Sequence, residues 1–78
     1  MFDIEKITRE PNGLYSTAAI CQNASRAEEL RSGFTGPVRQ ISMFADLYRD
    51  GSRLILEAPD RNTLLRLIDI LNHAIEQF

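Results

Sequence analysis

The side chains that could support catalysis in this sequence are few, and they stand apart from one another. His73 is the only histidine and Cys21 the only cysteine. A histidine-based metal site would need distant carboxylates, and a general base would need a partnered nucleophile in a cleft. No Cys-x-x-Cys pattern surrounds Cys21, and a free cysteine is commonly a small buried hydrophobic residue. We therefore expect an exposed His73, a structural Cys21, and neither an enzyme nor a metal or cofactor site.

Several carboxylates in the second half of the chain could serve as the paired acids of general acid–base catalysis: Asp46, Asp50, Glu57 and Asp60. In the hairpin described below, Asp46 and Glu57 share the outer side of the strands, near Arg49 and Arg53. Cross-strand charge pairing then accounts for them without catalysis. The sequence contains no glycine-rich phosphate loop and no zinc-ligand spacing. An enzyme is the class of protein that the sequence supports least.

The outer side of the same hairpin carries aromatic and aliphatic residues that a solvated strand rarely needs. Phe44, Tyr48 and Arg53 are the residue types that anchor protein interfaces, because rigid apolar area is ordered there at low entropic cost. Acidic neighbours would face basic patches of a partner. The predicted partner-binding residues are Phe44, Asp46, Tyr48, Arg49, Asp50, Arg53, Ile55 and Glu57.

Two other interpretations of this side remain open. Phe44 and Tyr48 could stack unpaired bases while arginines hold phosphates, which would make the chain a small nucleic-acid-binding or transcription-regulating protein acting as a homodimer. The net charge of -2 and the interleaved acids weigh against it. The relevant arginines are Arg39, Arg49 and Arg53. Alternatively, a short helix and the loop at 33–37 cover this side and make it a second small core.

Among the secondary-structure elements that must position these residues, the C-terminal helix has the clearest sequence signals. Asp60 follows Pro59 as a helix N-cap, and no glycine or proline occurs from there to the end. One face of the predicted helix is apolar: Leu64, Leu67, Ile68, Leu71, Ala74, Ile75 and Phe78. Leu65 falls off this stripe and Ile70 lies at its edge. We expect Leu65 and Ile70 to serve self-association.

Asp50-Gly51 reads as a two-residue hairpin turn that places Arg49 opposite Ser52. One side of the hairpin is then apolar, with the pairs Leu47–Leu54, Ala45–Leu56 and Met43–Ala58. The outer side holds Tyr48–Arg53, Asp46–Ile55 and Phe44–Glu57. A helical stripe after Pro37 is the competing interpretation of residues 38–49, with Gly51 as its C-terminal cap.

In the first half, Asn12-Gly13 predicts a hairpin between residues 2–10 and 14–22. Ser25 and Glu28 have the spacing of a capping box, and Gly33 is expected to end the helix after about two turns, followed by a loop at 35–37. The order ββαββα predicts one α+β domain over residues 1–78. Its antiparallel four-stranded sheet is packed by the C-terminal amphipathic helix.

Composition narrows the functional class. The chain has 78 residues, 44% of them hydrophobic and 26% charged, which is typical of a folded domain. A single cysteine, no long apolar run and no basic-apolar leader lead us to expect a reduced, cytoplasmic protein without membrane contact. We expect a non-enzymatic protein-binding module. One example would be a phage- or mobile-element-type inhibitor or adaptor that occludes a host nucleic-acid-processing complex.

Overall fold

The computed structural model describes residues 2–76, so Phe78 of the predicted helix face lies outside the described residues. A single turn of 3-10 helix at Ile4–Lys6 precedes four strands and two helices: β1 (Thr8–Arg9), β2 (Tyr15–Ile20), α1 (Ala24–Ile41), β3 (Asp46–Asp50), β4 (Arg53–Ala58) and α2 (Arg61–Glu76). The strands form one sheet in the order β1-β2-β4-β3, with every neighbouring pair antiparallel. The predicted ββαββα order and α+β class are confirmed.

Both helices pack on the same side of the sheet and share one core with it. Leu54 and Leu56 of β4 are almost fully buried there, as is Leu47 of β3. The same cluster takes Leu30, Val38, Leu64, Leu67, Ile68 and Leu71 from the helices. The apolar face predicted for α2 is thus the face that the protein buries. Among residues 2–76, neither helix combines the length and the apolar character needed to cross a membrane.

Helix α1 is twice as long as the sequence pattern predicts. Gly33 does not end it, and residues 35–37 are not a loop, because the helix continues through Gly36 and Pro37 to Ile41. Glycine costs a helix about 1 kcal/mol and an interior proline about 3 kcal/mol. An unbroken stripe that packs on the core offsets these costs, at roughly 1.5–3 kcal/mol per large apolar side chain. The stripe consists of Ala27, Leu30, Phe34, Val38 and Ile41.

Of the two predicted helix N-caps, one is confirmed and one is wrong. Asp60 caps α2 as expected, its Oδ1 accepting a hydrogen bond from the Thr63 amide at 2.8 Å. The predicted capping box at Ser25 and Glu28 is wrong. Asn23 is the N-cap of α1, and its Oδ1 accepts from the Arg26 amide at 2.8 Å. Glu28 is thereby left free to bond elsewhere.

The β3–β4 hairpin keeps its predicted sides but shifts its register by two residues. Asp50 pairs with Arg53, so the loop is Gly51-Ser52 rather than Asp50-Gly51. Gly51 has φ +61°, the first position of a type II′ turn, whereas the predicted loop would force a positive φ on Asp50. An even shift leaves every side chain on its expected side. Met43, predicted opposite Ala58, instead lies in the turn before β3 and is 78% exposed.

The first hairpin forms at the predicted turn, with a much shorter first strand. Gly13 has φ +88°, and its amide donates to the Glu10 carbonyl at 2.9 Å. Strand β1 contains only two residues because the chain before it forms the 3-10 turn. Phe2 enters the core, and its amide donates to Asn72 Oδ1 of α2 at 2.9 Å.

Candidate protein-binding surface

The side of the sheet opposite the helices, which we call the open face, is covered by neither helix. Strands β2, β3 and β4 point alternate residues towards it: Ser16, Ala18, Ile20, Asp46, Tyr48, Asp50, Arg53, Ile55 and Glu57. The prediction that a short helix and a loop at 33–37 cover this side is wrong, because Leu30 and Val38 of α1 pack in the core beneath the sheet.

Strand register arranges the open face in three rows. The first row is Ser16, Glu57 and Asp46, the second is Ala18, Ile55 and Tyr48, and the third is Ile20, Arg53 and Asp50. Adjacent rows are two residues apart along each strand, or roughly 7 Å. The first row is acidic and the second is apolar. The third row contains the exposed Ile20 and one charge of each sign, Arg53 and Asp50.

Tyr48 lies directly opposite Ile55 in the apolar row and is 38% exposed. Partial burial raises the pKa of its phenol, and the negative charge of Glu57 together with a hydrogen bond to that carboxylate raises the pKa further. The charges of Glu10 and Asp46 act in the same direction. The phenol is therefore a hydrogen-bond donor in acidic surroundings at neutral pH.

The segment that leads into β1 forms a wall beside the rows. Ser16 Oγ donates to Glu10 Oε1 at 2.7 Å, which brings a third carboxylate to the acidic end of the open face. Lys6 adds a cation near Arg53. This wall and the three rows enclose a cleft of about 330 Å³. The cleft is lined by Lys6, Thr8, Glu10, Ser16, Thr17, Ala18, Tyr48, Arg53 and Ile55.

The structure brings together most of the predicted partner-binding residues. Six of them stand on the open face: Asp46, Tyr48, Asp50, Arg53, Ile55 and Glu57. Phe44 does not, because it lies in the turn before β3, where it is 70% exposed. The expected pairing of the acids also differs, since Asp46 faces Glu57 across the strands and is paired instead with Arg39 Nη2 at 3.4 Å.

Arg49 was grouped with the partner-binding residues of the outer side, but the alternation of β3 places it with Leu47 on the helix side of the sheet. Its Nε donates to Glu28 Oε2 of α1 at 3.2 Å, and its Nη1 donates to the Gly51 carbonyl at 3.0 Å. Arg31 Nε also donates to Glu28 Oε2, at 2.9 Å. The two guanidinium groups, that of Arg31 first, hold the pKa of Glu28 at about 2. Arg49 therefore ties the sheet to α1.

Sequence reasoning missed the half of the open face that comes from the first hairpin, namely Lys6, Glu10, Ser16, Ala18 and Ile20. The alternation of β2 contained the signal. Ala19 is buried on the helix side, whereas Ile20 is 78% exposed. Pairing β2 with β4 would have joined these residues to the predicted set, but that pairing bridges distant parts of the chain.

The remaining candidates lie away from the open face. His73 is exposed, and Cys21 is half-buried against the core. Leu65 is half-buried and Ile70 is 41% exposed on α2. Within residues 2–76, no group of three or more histidine, cysteine, aspartate or glutamate side chains is placed to hold a metal ion. Comparison of the chain with protein-family models, curated proteins and solved structures finds no significant match.

Proposed function

We propose that this protein is a non-enzymatic protein-binding module and that the open face is its contact surface. The observation that carries the proposal is the uncovered row of Ala18, Ile55 and Tyr48, which lies between carboxylates and Arg53. A tyrosine and an isoleucine ringed by charged groups have the make-up of an interface hot spot with a polar rim.

Charge favours a protein over a nucleic acid as the partner. The open face and its wall hold five carboxylates (Asp3, Glu10, Asp46, Asp50, Glu57) against two cations (Lys6, Arg53), and this excess of negative charge would repel a phosphate backbone. Two of the three arginines expected to hold phosphates in the nucleic-acid interpretation are paired with acids, Arg39 with Asp46 and Arg49 with Glu28.

In its finer form, the proposal is an inhibitor or adaptor that occludes a nucleic-acid-processing complex. Proteins that hold nucleic acid present basic surfaces. The carboxylates of the open face would attract such a surface, and the apolar row would then bury area against it.

The test is a pull-down of the tagged chain from source-cell lysate, with and without nuclease. We expect Tyr48→Ala and Arg53→Glu to reduce recovery of the bound protein about 30-fold, the effect of losing a hot spot of about 2 kcal/mol. Arg66→Glu is the matched control, because Arg66 lies exposed on α2, on the far side of the sheet.

Each outcome has a definite meaning. A partner that both variants lose, and that nuclease leaves bound, supports the proposal. Capture that disappears with nuclease contradicts it and indicates nucleic acid. Thermal melts of the variants separate binding from folding: a large loss of stability in Tyr48→Ala would mean that the open face serves the fold and not a partner.

A further inference from the structure

We infer that the partner seated on the open face is a second copy of this chain, stacked face to face about a twofold axis that runs across the strands along the apolar row. The inference rests on the proposed function, since it names the occupant of the same surface. Stacked sheets lie about 10 Å apart with strand directions within about 30° of each other. Such an axis places each strand over the same strand of the second copy, in the opposite direction.

This axis makes the charges of β4 self-complementary. The first row of one copy comes to lie over the third row of the other. Glu57 then faces Arg53 of the second copy, because both residues belong to β4. The symmetry creates this contact twice.

The apolar groups meet in the same arrangement. Ile55 lies over Ile55 of the second copy and Tyr48 over Tyr48, because the second row contains the axis. Ile20, at 78% exposure, is brought over the first row, where Ser16 occupies the same strand.

The other in-plane axis lacks the β4 ion pairs. A twofold axis along the strands would set each row over the same row of the second copy, so Glu57 would no longer face Arg53. Among the nine residues of the three rows, the selected arrangement brings like charges together at Asp46 and Asp50, on the edge strand β3. Arg39 already pairs with Asp46 there, at 3.4 Å and in the solvent.

The size of the open face predicts a weak dimer. Three strands about 4.8 Å apart and three rows about 7 Å apart cover about 300 Å² per copy, or about 600 Å² in total. Stable interfaces bury about 1,200–2,000 Å², so we expect association only at high micromolar concentrations. A second protein partner would have to displace the second copy from the same residues.

Sedimentation of the whole chain over about 1 µM to 1 mM tests the inference by charge exchange. Arg53→Glu and Glu57→Arg each replace two attractive contacts by two repulsive ones, so each variant alone should dimerise at least tenfold more weakly. An equimolar mixture of the two restores both pairs and should dimerise within about threefold of wild type. Arg66→Glu, on the far side of the sheet, should dimerise like wild type.

A second measurement needs no variant. On dilution of the labelled wild-type protein, the amide resonances of β2, β3 and β4 should move, whereas those of the exposed side of α2 should not. Movement confined to α2 around Leu65 and Ile70 would overturn the inference and place self-association on the helix, as would a dimer that both charge variants leave intact.

The remaining outcomes separate this inference from the proposed function. A wild-type chain that stays monomeric to 1 mM overturns the inference. If that monomer still captures a different protein, and Tyr48→Ala and Arg53→Glu abolish the capture, the proposed function stands with a foreign partner. If it captures nothing, both fail. A mixture that dimerises when neither variant does alone supports both.

Discussion

Two glycines inside α1 offer a direct test of how this helix is built. Gly33 and Gly36 lie on its exposed side, neither has a positive φ, and a Cβ added to either would meet no atom within 4 Å. Replacing such a glycine by alanine reduces the entropy of the unfolded chain without straining the folded one. Each substitution should raise the free energy of unfolding by about 0.5–1 kcal/mol.

Combined, Gly33→Ala and Gly36→Ala should raise the free energy of unfolding by about 1–2 kcal/mol, because each acts through the unfolded chain and neither added methyl group meets another atom within 4 Å. For a domain of this size that corresponds to a rise in Tm of roughly 5–15 °C. Urea unfolding followed by far-ultraviolet circular dichroism measures the change, with the midpoint moving and the slope of the transition unchanged.

Gly51→Ala is the matched control with the opposite expectation. Its φ of +61° is unfavourable for any residue with a Cβ, so the same substitution should cost about 1–2 kcal/mol. The reasoning would be refuted if Gly33→Ala destabilised the protein as Gly51→Ala does. Residue 33 would then have a left-handed cap conformation, and the helix would end there, as the sequence pattern predicts.

Three further predictions concern titratable groups. The pKa of Glu28 is about 2 in the folded protein instead of 4.5, so its contribution to stability is present above pH 4.5 and is lost as the pH falls towards 2. Glu28→Gln should therefore reduce the fall of the urea midpoint at acidic pH. An unchanged fall would contradict the pairing of Glu28 with Arg31. Asp60→Ala should lower Tm because the Thr63 amide loses its acceptor, while Asp60→Asn should keep most of the cap; equal melts for the two would argue against capping. In a Tyr15→Phe background, absorbance titration should place the pKa of Tyr48 above 10, and Glu57→Gln should lower it; no effect of Glu57→Gln would mean that the carboxylate does not reach the phenol.

The sequence predicts the structure correctly where the deciding interactions lie within one segment of the chain. The Asp60 cap and the stripe of α2 predict that helix because both signals lie within one or two turns of each other. The alternation of residues 46–58 predicts which side chains share a side of the sheet, since a period of two survives an even shift of register. Tyr48, Ile55 and Arg53 were therefore placed correctly on one surface from the sequence.

Contacts between distant segments decided the rest. Only burial of Val38 and Ile41 against the sheet could carry α1 through two glycines and Pro37, because local propensity favours a stop there. The alternation of β3 already placed Arg49 beside Leu47, but its ion-pair partner Glu28, 21 residues away, was revealed only by the packing of α1.

The open face results from tertiary packing. The periodicity of α1 and of the strands does not indicate which side of the sheet α1 covers. The apolar stripe of a helix can be buried against any apolar surface of matching size. The pairing of β2 with β4 then joined the first hairpin to the second and set Lys6 and Glu10 beside Tyr48. The sequence by itself determined the elements and the sides of the β3–β4 hairpin. The packing of segments remote in the chain decided which side is left open and which charges surround it.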